Sequence, residues 1–167
     1  MADKKDMILR TRFPERLCHW TIVACFFLAA TSGLAWFFPT FSWLSVFLGS
    51  PQMARVLHPF LGIAVFAGLC YMFARFVKHN LPAETDLLWF RNVGKVVIGD
   101  HSARLRIGKY NAGQKVLFWA IMAAIVVLLI SGLIMWRAYF AEFFPIPVLR
   151  LAILAHSVAG IGLILLI

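Results

Sequence analysis

Residues Gln114 to Trp136 read QKVLFWAIMAAIVVLLISGLIMW, a stretch whose only charge is Lys115 at its second position. A helix needs roughly 20 mostly apolar residues to cross the hydrocarbon layer of a bilayer, and this stretch supplies them. Two further runs lie on its N-terminal side, from about Pro14 to Phe38 and from about Pro51 to Val77. A fourth begins near Pro147 and is still apolar at Ile167. Of the 167 residues, 62% are hydrophobic, against about 45–50% in a soluble domain, and the excess is gathered into these runs. The expected architecture is an all-α integral membrane protein, one membrane domain over residues 1–167. Its spans fall at about 14–38, 51–77, 114–136 and 147–167, forming a four-transmembrane-helix bundle with a loop at about 78–113. Because the last run ends without flanking charges, the sequence reads as a truncated piece of a longer chain. It shows no internal repeat and no low-complexity segment.

Local signals mark the starts of the spans. Ser50 before Pro51 reads as a helix N-cap followed by proline in the first turn, where its missing N–H costs no hydrogen bond. Pro14 and Pro147 suit first-turn positions for the same reason.

The net charge of +9 does not indicate nucleic-acid binding, because the basic residues sit between the apolar runs, where they set topology. Lys4, Lys5, Arg10, Arg12 and Arg16 precede or open the first span. Arg75, Lys78, Arg91, Lys95, Arg104, Arg106, Lys109 and Lys115 lie in or beside the loop between the second and third. Only Arg55, Arg137 and Arg150 fall on the other side. Basic residues collect on the cytoplasmic side, so the N-terminus and the central loop are expected in the cytoplasm of a bacterial inner membrane. Trp36, Phe37, Phe38, Trp43, Trp136, Tyr139, Phe143 and Phe144 crowd the opposite ends, as an interfacial aromatic belt would. In the loop, Leu87, Leu88, Trp89, Phe90, Val93, Val96 and Val97 suit a short helix on the membrane surface. Cys18, Cys25 and Cys70 form no CxxC pair and carry no disulfide or zinc signal.

Three of the five histidines stand inside spans: His19, His58 and His156. An ionisable side chain in a membrane points to function. His58 lies about 10 Å along a helix entering from outside, and His156 about 14 Å along another, at about 1.5 Å per residue. Matched depth suits two axial ligands of one haem iron. Gly62 and Gly160 each follow their histidine by four, on the same helix face, leaving a gap that a flat porphyrin needs. Small residues at these places would also let helices pack closely; matched depth and spacing together favour haem. His19 lies near the cytoplasmic face, too far in depth to share that iron, and Val23 and Phe26 crowd its face. It is either an interfacial anchor or a ligand to a second haem. His79 and His101 read as solvated loop histidines. Arg55 and Arg137 could pair with haem propionates, or serve only as topology charges.

RFPERLCHW around His19, GSPQMARVLHPFLG around His58, GKYNAGQK before the third span and LRLAILAHSVAG around His156 resemble the gamma subunit of respiratory formate dehydrogenase. That family is a four-helix dihaem cytochrome b, and the resemblance covers essentially the whole chain. It implies that His58 and His156 ligate an outer haem b. It also implies that His19 ligates an inner one, whose second histidine would fall beyond Ile167. Asn111, Gly113 and Gln114 then match the family's quinone site for menaquinone or ubiquinone. Asn111 also suits a plain helix N-cap.

The implied partners are an iron–sulfur subunit and a molybdenum- or tungsten-containing catalytic subunit. Formate oxidation belongs to the latter, and electron transfer and quinone reduction to this chain. The nearest rival is the haem b subunit of a membrane-bound hydrogenase or thiosulfate reductase. A haem-free membrane anchor and a proton-coupled transporter are the rivals from other classes; the latter is disfavoured because the only acidic residue in any span is Glu15, at the edge of the first.

Overall fold

The computed structural model describes residues 11–98 and 108–167. Lys4, Lys5, Arg10, Arg104 and Arg106 of the charge count, and the loop histidine His101, lie outside the described residues. Within them every regular element is helical. Four helices are long and apolar enough to cross a membrane. The chain divides into two compact units, one up to Met72 and the other from Phe73 onward.

The first unit opens with α1 (Phe13–Phe37), 25 residues long and so about 38 Å from end to end. Its entry is closed by the Glu15 carboxylate, which accepts the backbone N–H of Arg12 at 2.9 Å. After α1 the chain forms a 3-10 segment, Pro39–Leu48, instead of an extended loop. This segment carries no charge and lies along α1, with the ring of Phe47 5.5 Å from that of Phe27. Phe47 thus folds back along the helix.

Gly49, at φ +88°, turns the chain into α2 (Pro51–Phe76). Ser50 accepts the backbone N–H of Met53 on its Oγ at 3.2 Å, as an N-cap does. The helix runs on through Pro59, whose ring nitrogen has no proton to give to the carbonyl of Arg55. α1 and α2 approach closely at Gly68. A Cβ there would stand 2.6 Å from Cγ1 and 2.9 Å from Cδ1 of Ile22. The Cys18 thiol donates to the Gly68 carbonyl at 3.6 Å.

In the second unit the stretch between the long helices is itself helical, with α3 (Glu84–Arg91) and α4 (Val93–Val97). Asp86 caps α3, accepting the N–H of Ala83 at 2.7 Å. The same carboxylate binds the ammonium of Lys115 through both oxygens, at 2.9 and 2.8 Å. Trp89, three residues on and hence on the same face, packs its ring at Gly113. α3 is thus pinned to the start of α5 (Ala112–Ile134), while Leu87, Leu88 and Phe90 stay exposed. Asn80, buried, donates from its amide to the carbonyl of Phe76 at 2.9 Å and offers its own carbonyl to the Trp119 indole at 3.0 Å. After α5, Trp136, Tyr139 and Phe140 cluster edge to face. The chain then enters α6 (Ile146–Leu166) with Pro147 in its first turn. α5 and α6 pack against each other.

About half of the large apolar side chains on the long helices are exposed, among them Phe60, Val126, Ile130 and Leu154. In water such a surface would drive aggregation; in lipid it faces a solvent as apolar as itself.

Two outcomes test this packing. Gly68→Ala should lower stability in detergent by about 1–3 kcal/mol through overpacking. Adding Ile22→Ala should then cost less than the two single effects summed; strict additivity would contradict the close approach. The Lys115 ammonium, followed by the Ala83 N–H, holds the Asp86 carboxyl below its ordinary value. With a lowered folded-state value, the stabilisation is fully present above the unfolded carboxylate range of about 4 and is lost as pH falls through the folded value. Asp86→Asn should therefore speed amide exchange across Glu84–Arg91 at neutral pH, and unchanged exchange would show that the ion pair does not hold α3.

Candidate functional site

Each unit places one membrane histidine against a serine of the preceding long helix. In the first, Nδ1 of His58 on α2 lies 2.7 Å from Oγ of Ser32 on α1. In the second, Nδ1 of His156 on α6 lies 3.0 Å from Oγ of Ser131 on α5. Both serines are buried, and Ser32 has no exposed surface at all.

The direction of these hydrogen bonds follows from counting protons. A hydroxyl carries one proton and two lone pairs. Ser32 donates to the carbonyl of Ala29 at 2.8 Å, and Ser131 donates to that of Val127 at 2.6 Å. With its proton directed to the backbone, each oxygen can accept from imidazole, an arrangement that suits a histidine proton on Nδ1. This tautomer carries its lone pair on Nε2, the form in which imidazole ligates a metal.

The next residue completes the seat in both cases. A Cβ at Gly33 would stand 3.8 Å from Cε1 of His58. At Gly132 it would stand 3.2 Å from Cε1 and 3.5 Å from Nδ1 of His156. The ring of Trp36 lies 5.1 Å from that of His58. One turn beyond His58, a Cβ at Gly62 would meet no described atom within 4 Å, and at Gly160 it would meet only Cδ2 of Leu128, at 3.8 Å. The position beside Gly62 is thus open, whereas Gly160 stands in van der Waals contact with Leu128. Oriented neutral imidazoles, one of them beside such an opening, fit the donor set of a flat haem.

His19 is exposed near the start of α1, edge-on to Trp20 at 5.7 Å. Ser32 lies 13 residues further along the same helix, about 20 Å at the helical rise. His19 and His58 accordingly do not share an iron. His79 is exposed, with the Tyr110 ring 6.5 Å away.

At the entry of α5, Asn111 Oδ1 accepts the N–H of Gln114 at 2.9 Å, and Gln114 Oε1 accepts that of Asn111 at 3.0 Å. Asn111 is thus an N-cap in a reciprocal box, with its amide NH2 on the other side of the group. A Cβ at Gly113 would stand 3.0 Å from Cη2 of Trp89, so the glycine seats an indole. Nε1 of that indole is buried and has no hydrogen-bond partner among the described residues. Buried donors are almost always paired, which makes this N–H a candidate contact for a ligand.

The sequence did not connect Ser32, Gly33, Ser131 and Gly132 with His58 or His156, nor Trp89 with a binding site. A signal for four of them exists. The tripeptide Ser-Gly-Leu occurs at 32–34 and again at 131–133, and His58 and His156 follow the two serines by 26 and 25 residues. It is a short local correspondence, too sparse to show as a repeat. Trp89 had none, because an orphaned N–H is visible only after folding.

The family described as prokaryotic cytochrome b561 matches residues 10–167. The chain is 53% identical over 161 residues to "Formate dehydrogenase, nitrate-inducible, cytochrome b556(Fdn) subunit" of Escherichia coli (strain K12), covering 96% of this chain and 74% of that protein. It is 46% identical over 164 residues to "Formate dehydrogenase, cytochrome b556(fdo) subunit" of the same strain, covering 98% and 77%. It is 48% identical over 153 residues to "Formate dehydrogenase, cytochrome b556 subunit" of Haemophilus influenzae (strain ATCC 51907 / DSM 11121 / KW20 / Rd), covering 92% and 64%. An all-α membrane chain of four long helices, it belongs to the prokaryotic cytochrome b561 family and, within it, to the formate dehydrogenase cytochrome b556 subunits.

Proposed function

We propose that this chain is the haem b membrane subunit of a respiratory formate dehydrogenase complex. It takes electrons from an iron–sulfur subunit and delivers them to menaquinone or ubiquinone on the cytoplasmic side. Formate is oxidised on a separate molybdenum- or tungsten-containing subunit. The observation that carries the reading is the pair of membrane histidines, each with Nδ1 against a buried serine hydroxyl that also bonds its own helix. A haem-free anchor has no use for two imidazoles oriented in this way. The formate branch is preferred over a hydrogenase or thiosulfate reductase partner because the relatives above are named as formate dehydrogenase subunits.

His58 and His156 would hold one haem b, and His19 would help hold a second, nearer the N-terminal end of α1. Bound haem b supplies a one-electron store whose potential the protein sets through ligand, hydrogen bonding and burial. The chain would hold the ligand rings, keep water away from them and leave room beside Gly62. With the N-terminus and central loop in the cytoplasm, electrons pass inward and quinone takes its protons from inside. That flow is coupled to the membrane potential, at about 2.3 kcal/mol per charge per 100 mV.

The quinone site is the entry of α5. Asn111 and Gln114 offer amide N–H groups, and Gly113 seats Trp89, whose buried N–H would donate to a quinone carbonyl. Trp89→Phe in the assembled complex should raise KM for quinone roughly two- to tenfold, the worth of one hydrogen bond, while formate still reduces the haem. An unchanged KM would remove Trp89 from the site. For the ligands, His58→Ala and His156→Ala should each lower the haem b content of the purified complex, by pyridine haemochrome assay, by the same one haem. Full haem content in either variant would end the assignment for that residue.

A further inference from the structure

We infer that Ser32 and Ser131 are positioning residues, each setting the reduction potential of the haem iron that its histidine holds. Each accepts a hydrogen bond from Nδ1 of its histidine, and at His156 the carbonyl of Leu128 shares that task. The inference rests on the reading that His58 and His156 ligate iron, and goes beyond it by assigning a task to two residues that touch no iron.

The argument begins with the bilayer. A serine hydroxyl in a membrane helix usually satisfies itself by donating to a carbonyl one turn back, and Ser157 does so alone, bonding the carbonyl of Ile153 at 2.9 Å. Ser32 and Ser131 make that bond and a second one, to imidazole. Because the single hydroxyl proton is committed to the backbone, the oxygen presents only lone pairs to Nδ1. Partial transfer of the Nδ1 proton toward an acceptor makes imidazole a stronger electron donor through Nε2. A stronger donor favours ferric over ferrous iron. The backbone bond therefore fixes the rotor and, through it, the tautomer and basicity of the ligand. Gly33 and Gly132 then allow the ring to lie close to the helix that carries its serine.

The same arrangement occurs in both units, each with a Ser-Gly-Leu helix followed by a histidine helix. If both histidines serve one iron, both serines tune one couple.

The test is spectroelectrochemical titration of the haem b centres in the complete complex, purified with the full-length chain. Ser32→Ala and Ser131→Ala are each compared with the parent and with Ser131→Thr, whose hydroxyl can make the same backbone bond. Titration reads only the haem-loaded population, so partial loss of haem does not obscure the result. Each alanine variant should shift the ferric–ferrous equilibrium of the haem that its histidine holds toward ferrous by up to about tenfold, equal to about 59 mV for one electron. Ser131→Thr should remain near the parent. Parent potentials in both alanine variants would overturn the inference. A threonine shift as large as that of alanine would also overturn it. These results are separable from failure of the ligand assignment, which shows as undiminished haem in His58→Ala or His156→Ala.

Discussion

Inside a bilayer a polar group has no water to turn to, and each one must find its partner within the protein. The placement of nearly every polar side chain on the four long helices follows from that constraint. Thr21, Thr31 and Ser157 donate to their own helix and go no further. Ser32 and Ser131 donate to their own helix and also accept from histidine. An imidazole left alone there would be costly; held this way, it becomes an oriented base. The same economy governs the helix ends, where Asn111 and Gln114 satisfy each other's N–H groups and Asp86 serves both a helix cap and Lys115.

Much of this was legible in the sequence because bilayer thickness is a coarse ruler. Long charge-free runs announce themselves, and Ser50-Pro51 and Asn111 mark helix starts by rules local to a few residues. His58 and His156 stood out because ionisable groups at that depth are rare. The partners of those histidines were hidden for a definite reason. Serine is common in membrane helices, and which serine meets which ring depends on how two helices lie side by side. Ser32 and Ser131 became identifiable only once α1 met α2 and α5 met α6. Likewise the 78–113 loop looked like a surface helix from its apolar residues. Its attachment through Asp86 and Trp89 to the start of α5 depends on contacts between residues tens of positions apart.

Trp89 links the two halves of the functional argument. It sits on the helix that Lys115 pins, its ring fills the space that Gly113 leaves, and its N–H points from a buried position with no described partner. In the proposal this segment contributes to the quinone site, so that electron entry and quinone exit fall to different parts of the chain: the histidine seats on the long helices and the capped entry of α5.

The most direct test of the central claim is an anaerobic absorbance difference spectrum of membranes holding the complete complex, recorded before and after adding formate. The account predicts reduced haem b bands on formate addition, discharged again by an oxidised quinone. Haem b that dithionite reduces but formate does not would contradict the formate assignment. The absence of haem b bands even with dithionite would contradict the haem assignment itself.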